Sequence, residues 1–487
     1  MADEIELKLD LTPEAANALE AAALLPGNPD IAEQRSIYFD TPDHRLSKAG
    51  LSLRIRRSGK KRIQTVKADG ASAAGLFMRS EWERPVDSDT PVLDDTTPIR
   101  ALLGGATDTI APAFEVWIER RTWIIGEGEA TIELVLDRGE AVAGERSSPI
   151  CEIELELKQG NPAALFALAR RIDAVAPVRL GVQSKAERGY RLTGRAPTMV
   201  KAEPVTLGAG MTAAEAFRHI VQSCVRQFRL NEALLLLLSG REAGALHQAR
   251  VALRRLRSAF SIFKPVIGGK DHLALRGELR WLASELADAR NLDVLLERAG
   301  PGALHDRIAA AREAAYDRVG EVLASARVRA LMPGLAEWTA SGDWLDAPGA
   351  AGDRDQPARD FAVTALDRYR RKVKKGGRDL AHIDDEARHE VRKDAKKLRY
   401  ASEFFTSLFE RKRERRRYKR FVDALENLQD QLGALNDLAA APQLVGQLGL
   451  ADDPDAARLL AEGKCETLLE AAVDAHDDLI DMKRFWR

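Results

Sequence analysis

Polar and hydrophobic residues alternate with a period of two along several short segments of the first 190 residues. The first segment, residues 4–9, places Glu4, Glu6 and Lys8 on one face and aliphatic side chains on the other. The same alternation recurs at residues 51–56, 62–67, 79–83, 133–137 and 151–158. Because successive side chains of a strand point to opposite faces, each segment predicts a β-strand with one apolar and one charged face.

After about residue 212 the pattern changes to long amphipathic helices rich in Ala, Leu and Arg. Residues 194–210 contain two Pro and three Gly, which is typical of a linker. Residues 341–357 are rich in Gly, Asp and Pro and divide the helical part into two halves. We therefore predict an α+β multidomain protein. It has a strand-rich domain over 1–195, a linker over 196–210 and an all-α domain over 211–487.

Composition narrows the class of protein. The chain has 487 residues, 45% of them hydrophobic, and its 74 Lys and Arg against 75 Asp and Glu give a net charge of −1. These values exclude a disordered polyelectrolyte and an indiscriminately basic nucleic-acid binder. Three distant cysteines without C-x-x-C spacing disfavour a disulfide framework and a thiolate zinc site. An acidic start and the lack of a long apolar run predict a cytoplasmic protein without a membrane span.

The near-neutral total hides an uneven distribution of charge. Residues 1–200 hold 31 acidic and 26 basic residues, which leaves 44 acidic and 48 basic residues for 201–487. Within the second part, residues 388–420 hold 14 basic and 5 acidic residues. A local field of that density attracts anions whatever the net charge of the whole chain.

The charged faces of the predicted strands carry both signs. The common explanation for such a face is the solvated side of an antiparallel sheet. Here the polar faces of at least five strands carry mostly charged residues. This favours a closed sheet, in which the charged faces line a common interior. An empty interior of this kind is unfavourable, because unpaired buried charges are costly. A polyanion gripped by Arg and Lys, together with a divalent metal ion held by carboxylates, would fill it.

These strands, in their order along the chain, resemble the CYTH family, the triphosphate tunnel metalloenzymes. The family's E-x-E-x-K signature is matched by Glu4, Glu6 and Lys8. The other matching motifs are Tyr38-Phe-Asp-Thr-Pro42, Leu53-Arg-Ile-Arg56, Lys67, Arg79 with Glu81, Arg120 before Thr122-Trp123, Glu133 with Asp137, Glu152-x-Glu154-x-Glu156 and Ser184-Lys185-Ala-Glu-Arg-Gly-Tyr190. The resemblance covers about residues 1–195. The family includes class IV adenylate cyclases, thiamine triphosphatase and inorganic triphosphatases.

The resemblance implies an antiparallel eight-stranded β-tunnel that binds a linear triphosphate with Mg²⁺ or Mn²⁺. The implied phosphate ligands are Lys8, Arg54, Arg56, Lys67, Arg79, Arg120 and Lys185. The implied metal ligands are Glu4, Glu6, Asp137, Glu152 and Glu154. The implied catalytic set is Glu4, Glu6 and Lys8, with the two glutamates orienting or deprotonating the attacking water. Two alternatives stay open. Arg121 competes with Arg120, and other tunnel carboxylates could pair the arginines without touching substrate: Glu81, Glu133 and Glu156.

Two segments of the helical part, 142 residues apart, share the form H-x-x-R-x-x-x-[RK]-[RK]-L-R, starting at His247 and His389. On a helix the His and three of the basic residues fall on one stripe, opposite an apolar face. A second, shorter repeat relates Leu286-Ala-Asp-Ala-Arg290 to Leu432-Gly-Ala-Leu-Asn436. These repeats predict a duplicated helical bundle. A solvated surface is the common explanation for one basic stripe, but its repetition favours a shared polyanion over it. Zinc is disfavoured, because two His without nearby Cys or acids make a poor site.

This half resembles the CHAD family, a histidine-bearing α-helical domain, over about residues 211–487. The resemblance implies a polyphosphate-binding module rather than an enzyme. The implied ligands are His247, Arg250, Arg254, Arg257, His389, Arg392, Lys396 and Arg399. Residues that could belong to this set or to its flank are Arg255, Lys393 and Lys397. The run 411–417 could extend the basic field or form a solvated helix end.

Together the two resemblances predict a metal-dependent hydrolase of inorganic triphosphate or short polyphosphate, with a helical domain that binds polyphosphate and could bring the enzyme to polyphosphate granules. The alternatives are an adenylate cyclase or thiamine triphosphatase in the same tunnel, and a catalytically silent polyphosphate scaffold. Nucleic acid is a disfavoured partner, because the basic helices lack interleaved aromatic residues for base stacking. The sequence leaves the oligomeric state and the metal open.

Overall fold

The fold is taken from a computed structural model, which describes residues 5–68, 72–73, 76–77, 81–237, 241–447, 449, 456 and 465–487. The chain forms two compact units. The first, here called the tunnel unit, comprises Met1–Thr198 with Ser325–Ser341. The second, the helical unit, comprises Met199–Ala324 with Gly342–Arg487. A strand-rich part followed by a helical part confirms the predicted fold class.

One antiparallel sheet builds the tunnel unit. Its strands are β1 (Glu6–Leu11), β2 (Asp30–Asp40), β3 (Leu51–Ser58), β4 (Lys61–Ala68), β5 (Ser72–Ala73), β6 (Leu76–Phe77), β7 (Glu81–Pro85), β8 (Ala111–Glu127), β9 (Ala130–Ala143), β10 (Arg146–Gln159) and β11 (Val178–Leu180). The strand order is β5-β6-β1-β10-β9-β8-β2-β3-β4-β7, and β11 also pairs with β1. Three of the eleven are two or three residues long, so eight longer strands remain, the number that the resemblance implies.

Helices cover the apolar side of this sheet. They are α1 (Pro13–Ala21), α2 (Arg45–Lys48), α3 (Pro98–Leu103), α4 (Ala163–Val175) and α11 (Ala326–Ser341), whereas α5 (Lys185–Thr193) packs on the other face of the sheet, against Tyr38, Phe114 and Val116. The alternating aliphatic residues of the strands are fully buried, as Leu7, Leu9 and Leu53 show. One apolar cluster joins β2, β3 and β4 to Ile99 and Leu103 of α3. Because the apolar faces meet the helices, the charged faces of the strands turn to the inside of the sheet.

The helical unit contains the other ten helices of the described chain. They are α6 (Ala213–Leu237), α7 (Ala243–Ile262), α8 (Lys270–Glu285), α9 (Ala287–Arg298), α10 (Ala303–Ala324), α12 (Ala351–Asp355), α13 (Ala358–Gly376), α14 (Asp385–Phe405), α15 (Lys412–Gln447) and α16 (Cys465–Asp481). None of the described helices is both long and apolar enough to cross a membrane.

The two copies of the predicted motif lie on α7 and α14, which pack against each other. Their apolar faces meet at an aromatic cluster, in which Phe263 at the end of α7 lies 4.6 Å from Phe361 and 5.8 Å from Phe405, between ring centroids. The 3.6-residue period of the sequence therefore predicts the buried face of both helices correctly.

Two connecting segments whose composition predicts loops are packed against helices in the structure. Within residues 341–357, Trp344 is buried against Phe217, and the buried Arg354 donates hydrogen bonds to the carbonyls of Trp344 and Ala347. Upstream of α6, the amide of Val200 donates to the side-chain oxygen of Asn231, whose amide group donates back to the Val200 carbonyl. Each segment thus buries some of its apolar side chains, Trp344 within residues 341–357 and Val205 and Leu207 upstream of α6.

Candidate active site

The tunnel unit encloses a polar cavity of about 350 Å³. All eight long strands contribute to its wall, so the sheet wraps around it. The lining residues are Glu6, Lys8, Tyr38, Ser52, Arg54, Arg56, Lys67, Glu81, Glu83, Arg120, Glu133, Val135, Glu154, Glu156, Ser184, Lys185 and Ala186. Such a volume lies at the small end of the range for ligand sites.

Strand register brings distant charges of the sequence together. Lys8 on β1 lies opposite Glu154 on β10, and Asp137 on β9 lies between Arg120 on β8 and Glu152 on β10. In an antiparallel pair, side chains at opposite positions share one face and approach closely. The alternation seen in the sequence therefore brings acidic and basic side chains of four neighbouring strands together on one face of the sheet.

A carboxylate cluster forms one wall of the site: Asp137, Glu152 and Glu154. An oxygen of each lies within 4.8 Å of the others. Lys185 Nζ lies 2.7, 2.5 and 2.7 Å from Asp137, Glu152 and Glu154. Lys8 Nζ contacts Glu152 and Glu154, each at 2.9 Å. We call these three acids and two lysines the carboxylate–lysine cluster.

Mutual neutralisation sets the protonation states of this cluster. Burial alone raises the pKa of Glu152, but Lys185 and Lys8 outweigh burial and hold that pKa at about 2. Burial also opposes charge on Lys185, yet Asp137 and Glu152 raise its pKa well above the usual value. The pKa of Glu154 is lowered for the same reason, so Glu152 and Glu154 are anions and the two lysines are cations at neutral pH.

Arg120 closes the cluster from β8. Its guanidinium donates to both carboxylate oxygens of Asp137, at 2.8 and 2.6 Å, and to Glu154 at 3.0 Å. The neighbouring Arg121 instead pairs with Glu119 and Glu20 and does not line the cavity. Of the two candidates that the sequence left open, the structure brings Arg120 into the site.

The opposite wall is cationic. Arg54 donates to the hydroxyl of Tyr38 at 3.4 Å and has no carboxylate within 4 Å among the described residues, while its buried Nε has no hydrogen-bond partner there. Arg56 contacts Glu83 at 3.5 Å and Lys67 contacts Glu81 at 3.1 Å. Burial, and then the charges of Arg54 and Arg120, lower the pKa of Arg56. Such crowding of positive charge favours a bound anion.

Glu6 lies between the two walls. Burial and the negative charge of Glu154 raise its pKa to about 7, against the opposing pull of Lys8. A carboxylate with this pKa is divided between its acid and base forms at neutral pH, which suits proton transfer.

The carboxylate–lysine cluster has the donors for a divalent metal ion. Asp137 and Glu152 are fully buried, and Glu152 Oε2 accepts no hydrogen bond from the described residues, although Arg188 Nε lies 3.7 Å away. Clustered carboxylate oxygens are the ligands that Mg²⁺ and Mn²⁺ prefer. The donor set fits such an ion, provided that the two ammonium groups move towards another anion.

The helix α5 positions Lys185. The Ser184 side chain accepts from the amide of Glu187, and the Glu187 side chain accepts from the amide of Ser184, which forms a capping box directly before Lys185. Further along, Gly189 packs on the ring of Phe114, which stacks on Tyr38 at 4.6 Å between centroids. Tyr38, Ser52 and Arg188 were missed as site residues; the Tyr38-Phe-Asp-Thr and Ser184–Tyr190 motifs were the available signals for two of them.

Most of the predicted tunnel residues meet at this cavity. Those that line it are Glu6, Lys8, Arg54, Arg56, Lys67, Arg120, Glu154 and Lys185. Asp137 and Glu152 lie beneath the wall, in contact with Lys185. Glu4 and Arg79 lie outside the described residues. Glu81 pairs with Lys67, and Glu133 and Glu156 pair with Lys158, so within the described chain the ion pairs of these three carboxylates are with lysines.

The predicted basic stripes form a second candidate site, in the helical unit. On α7, burial and then Arg290, Arg254 and Arg250 lower the pKa of His247 to about 4. Burial and Arg254 likewise lower the pKa of Arg250 to about 10. On α14, His389 Nδ1 lies 2.8 Å from Asn436 Oδ1, and Arg399 contacts Glu403 at 3.2 Å. Arg392 and Lys396 complete that stripe on the same helix.

The basic residues that flank the two stripes are either buried in the core or paired within the protein. Arg255 is buried, donates to Gln227 at 2.8 Å and lies over the ring of Phe404, so it belongs to the core. Lys393 pairs with Glu390 and Lys397 pairs with Asp394 at 2.9 Å on the same helix. In the run 411–417, Arg417 donates to backbone carbonyls of residues 484 and 487.

Comparison with known proteins agrees with both resemblances. Residues 2–190 match the CYTH domain family and residues 219–446 match the CHAD domain family. The chain thus consists of a CYTH domain followed by a CHAD domain.

Individual relatives match different parts of the chain. An inorganic triphosphatase of Haemophilus influenzae is 32% identical over 39% of this chain and 55% of its own length, so the chain spans little more than half of that relative. An uncharacterised protein of Mycobacterium tuberculosis is 26% identical over 75% of both chains. The crystal structure of the CHAD domain from the plant Ricinus communis is 29% identical, covers 60% of this chain and 98% of its own, and has a TM-score of 0.49.

Proposed function

We propose that the tunnel unit hydrolyses inorganic triphosphate, or the end of a short polyphosphate, with a divalent metal ion, and that the helical unit binds longer polyphosphate. The observation that carries the proposal is the division of one cavity into a cationic and an anionic wall. A linear polyphosphate needs the first wall, and the metal ion that neutralises it needs the second. The inorganic triphosphatase of Haemophilus influenzae is a relative over the CYTH part.

In this proposal the cationic residues hold the phosphate chain. Arg54 and Arg56 offer planar guanidinium donors, and Lys67 offers a third cation on the neighbouring strand. Arg120, Lys8 and Lys185 lie between the two walls, where they can contact phosphate and carboxylate oxygens. Arg79 is a further proposed phosphate ligand, from the sequence resemblance alone. Phosphoryl transfer depends mainly on positioning and charge neutralisation, which this arrangement provides.

The acids carry the second part of the proposal. Asp137, Glu152 and Glu154 would hold Mg²⁺ or Mn²⁺, with Glu6 and Glu4 as further ligands. When bound, the ion supplies charge neutralisation and a more acidic water. Glu6 orients a water for attack on the terminal phosphorus and accepts its proton, for which a pKa of about 7 is suited. Glu6 takes the proton of the water, and the departing phosphate keeps the electron pair of the broken P–O bond.

The choice of an inorganic substrate is supported by the lining of the cavity. Tyr38 is the one aromatic side chain among its described lining residues, and its ring is buried by stacking on Phe114. A nucleotide or thiamine triphosphate gains affinity from an aromatic face for its ring. The lack of a free aromatic face in the described wall favours triphosphate over the adenylate cyclase and thiamine triphosphatase alternatives.

The helical unit supports the second half of the proposal. Its stripes on α7 and α14 carry the eight predicted ligands: His247, Arg250, Arg254, Arg257, His389, Arg392, Lys396 and Arg399. Polyphosphate binding there would raise the local substrate concentration at the tunnel and would locate the enzyme at cytoplasmic polyphosphate granules.

Phosphate release from the full chain tests the tunnel proposal. The substrates are triphosphate, ATP, thiamine triphosphate and long polyphosphate, each with Mg²⁺, with Mn²⁺ and with a chelator. We expect the highest kcat/KM on triphosphate, with metal required. Glu6→Gln should lower kcat about 100-fold, because general-base catalysis contributes about 10²–10⁴-fold.

Glu119→Gln is the matched control, since this acid lies on β8 but pairs with Arg121 outside the cavity. It should leave phosphate release unchanged. No release from triphosphate by the unmodified protein overturns the enzymatic proposal and leaves the scaffold alternative. Cyclic AMP formation from ATP would instead favour the cyclase.

A further inference from the structure

Four arginines of the first CHAD half have no acidic partner among the described residues. They are Arg254 and Arg257 on α7 and Arg276 and Arg280 on α8. In the part of the chain that the structure describes, no carboxylate lies within 4 Å of any of these guanidinium groups. The two helices pack together, and Arg250 of α7 donates to the carbonyl of Ala283 on α8 at 2.9 Å.

The arginines of both helices act on one another. Burial and then the charges of Arg280, Arg276 and Arg254 lower the pKa of Arg257. Arg276 and Arg280 are four residues apart, so they share one face of α8. Both are exposed, whereas Leu279 and Leu282 of the same helix are fully buried. The surface thus holds two adjacent rows of like charge, whose mutual repulsion a bound polyanion would relieve.

The second half differs at the equivalent positions. The interval of 142 residues relates Arg257 to Arg399, and Ser261 to Glu403. The second, shorter repeat has an interval of 146 residues, from Leu286 to Leu432. Extended to the residues before it, the same interval makes Arg280 equivalent to Glu426.

In the structure, Arg399 lies 3.2 Å from Glu403 and 3.8 Å from Glu426. In the first copy, the positions equivalent to these two acids are Ser261 and Arg280, beside Arg257. In the second copy they are Glu403 and Glu426, beside Arg399. Both stripes carry the same signature, but only the α14 stripe is neutralised within the protein at this position.

We propose that the two halves bind a linear polyphosphate unequally, and that the primary site is the α7–α8 surface, with Arg276 and Arg280 as phosphate ligands outside the repeated motif. This inference rests on the proposed function of the helical unit. Among the described residues, Arg254 and Arg257 have no carboxylate partner that a phosphate would have to displace, so each phosphate contact there adds to affinity. At Arg399 a phosphate has to compete with Glu403 and Glu426.

A reciprocal exchange of charge tests the asymmetry. Binding of fluorescently labelled long-chain polyphosphate to the full-length protein is measured by anisotropy at one fixed salt concentration. Arg280→Glu gives the first half the charge that the second half has, and we expect at least about tenfold weaker binding, the effect of losing one charge-assisted contact. Glu426→Arg gives the second half the charge of the first and should tighten binding.

Arg318→Glu is the matched control, because it makes the same change of charge at an exposed position of α10 that has no ion pair among the described residues. Unfolding by circular dichroism verifies that each variant is folded. If the unmodified protein fails to bind polyphosphate, the proposed function of the helical unit fails. If it binds but Arg280→Glu weakens binding no more than Arg318→Glu, the asymmetry is wrong while the function stands.

Discussion

Lys185 contacts all three acids of the carboxylate–lysine cluster, and it is almost entirely buried. Two buried carboxylates and the partly buried Glu154, with Lys8 and Arg120 alone, would keep an excess negative charge. Removing one partner of a buried ion pair leaves the other uncompensated, which costs more than the pair contributes. The ammonium group of Lys185 therefore stabilises the tunnel unit and lies at the proposed metal site.

Lys185→Met should therefore lower the free energy of unfolding by about 3 kcal/mol, as removal of one partner of a buried pair typically does. A divalent ion can take over the lost charge, so Mg²⁺ or Mn²⁺ should raise the midpoint of thermal unfolding more in this variant than in the unmodified protein. Differential scanning calorimetry with and without metal measures both effects.

Lys158→Met serves as the comparison, since Lys158 also contacts two acids, Glu133 and Glu156, but is partly exposed. Its unfolding free energy should fall by less than about 1 kcal/mol, because exposed ion pairs contribute little. An equal metal response in Lys185→Met and the unmodified protein would contradict the assignment of these acids to a metal ion.

At this scale strand parity predicts which side chains share a face, but not which of two adjacent residues faces the cavity. Arg120 and Arg121 are adjacent, and the register that separates them appears only when β8 is paired with β9. On α7, Arg254 and Arg255 are also adjacent, but the helical period leaves Arg255 in the core, where Gln227 satisfies it. The contact of Lys185 with three acids depends on tertiary packing of α5, which no local pattern specifies.

At the scale of elements, α5 is held against the sheet by a close aromatic contact. A methyl group at Gly189 would lie 2.0 Å from the ring of Phe114, which itself stacks on Tyr38. Phe114 also packs edge-on against Tyr190, with the ring centroids 4.9 Å apart. The position of Lys185, four residues before Gly189, therefore depends on this glycine.

Gly189→Ala should displace α5 from the sheet and lower the unfolding free energy by about 2 kcal/mol, as overpacking typically does. It should also lower kcat/KM for triphosphate, because Lys185 moves away from the cavity. Gly194→Ala, directly after the same helix, is the control, since nothing lies within 4 Å of its added methyl group. Equal stability and turnover in the two variants would show that the contact does not position the helix.

Element type was predictable and element packing was not. The period of two predicts the charged strands, and the period of 3.6 predicts α7 and α14, because each pattern reflects one buried face. The composition of residues 341–357 predicts a loop, yet Trp344 and Arg354 of this segment are buried in the helical unit. Likewise α11 lies in the tunnel unit, where Arg329 contacts Asp173 at 2.7 Å, although the sequence places it among the helical repeats.

At the scale of the whole molecule, the net charge of −1 is the sum of two arrangements. In the tunnel unit acids and bases line different parts of one cavity, as the proposed metal ion and phosphate chain require. In the helical unit, arginines of α7 and α8 lie together, and no described carboxylate lies within 4 Å of their guanidinium groups. The total charge therefore excludes an indiscriminately basic protein and gives no information about either local site.

Two units, each with its own buried core and its own candidate site, predict separable activities. Arg54→Ala removes a cation that has no internal carboxylate partner among the described residues, and should lower kcat/KM for triphosphate about 100-fold, as loss of an electrostatic stabiliser typically does. Polyphosphate affinity of the same variant should stay within about twofold, since Arg54 lies in the tunnel and the proposed polyphosphate ligands lie on the basic helices.

Arg254→Ala combined with Lys396→Ala should give the opposite result, with weaker polyphosphate binding and retained turnover of triphosphate. Both quantities are measured on the same preparations, by phosphate release and by anisotropy with labelled polyphosphate. If either variant lowers both quantities together, the two sites act as one, and long polyphosphate is held by the tunnel and the basic helices jointly. Unchanged polyphosphate affinity in the double variant would instead remove the basic stripes from the binding site, because their repeated cations are the basis of that assignment.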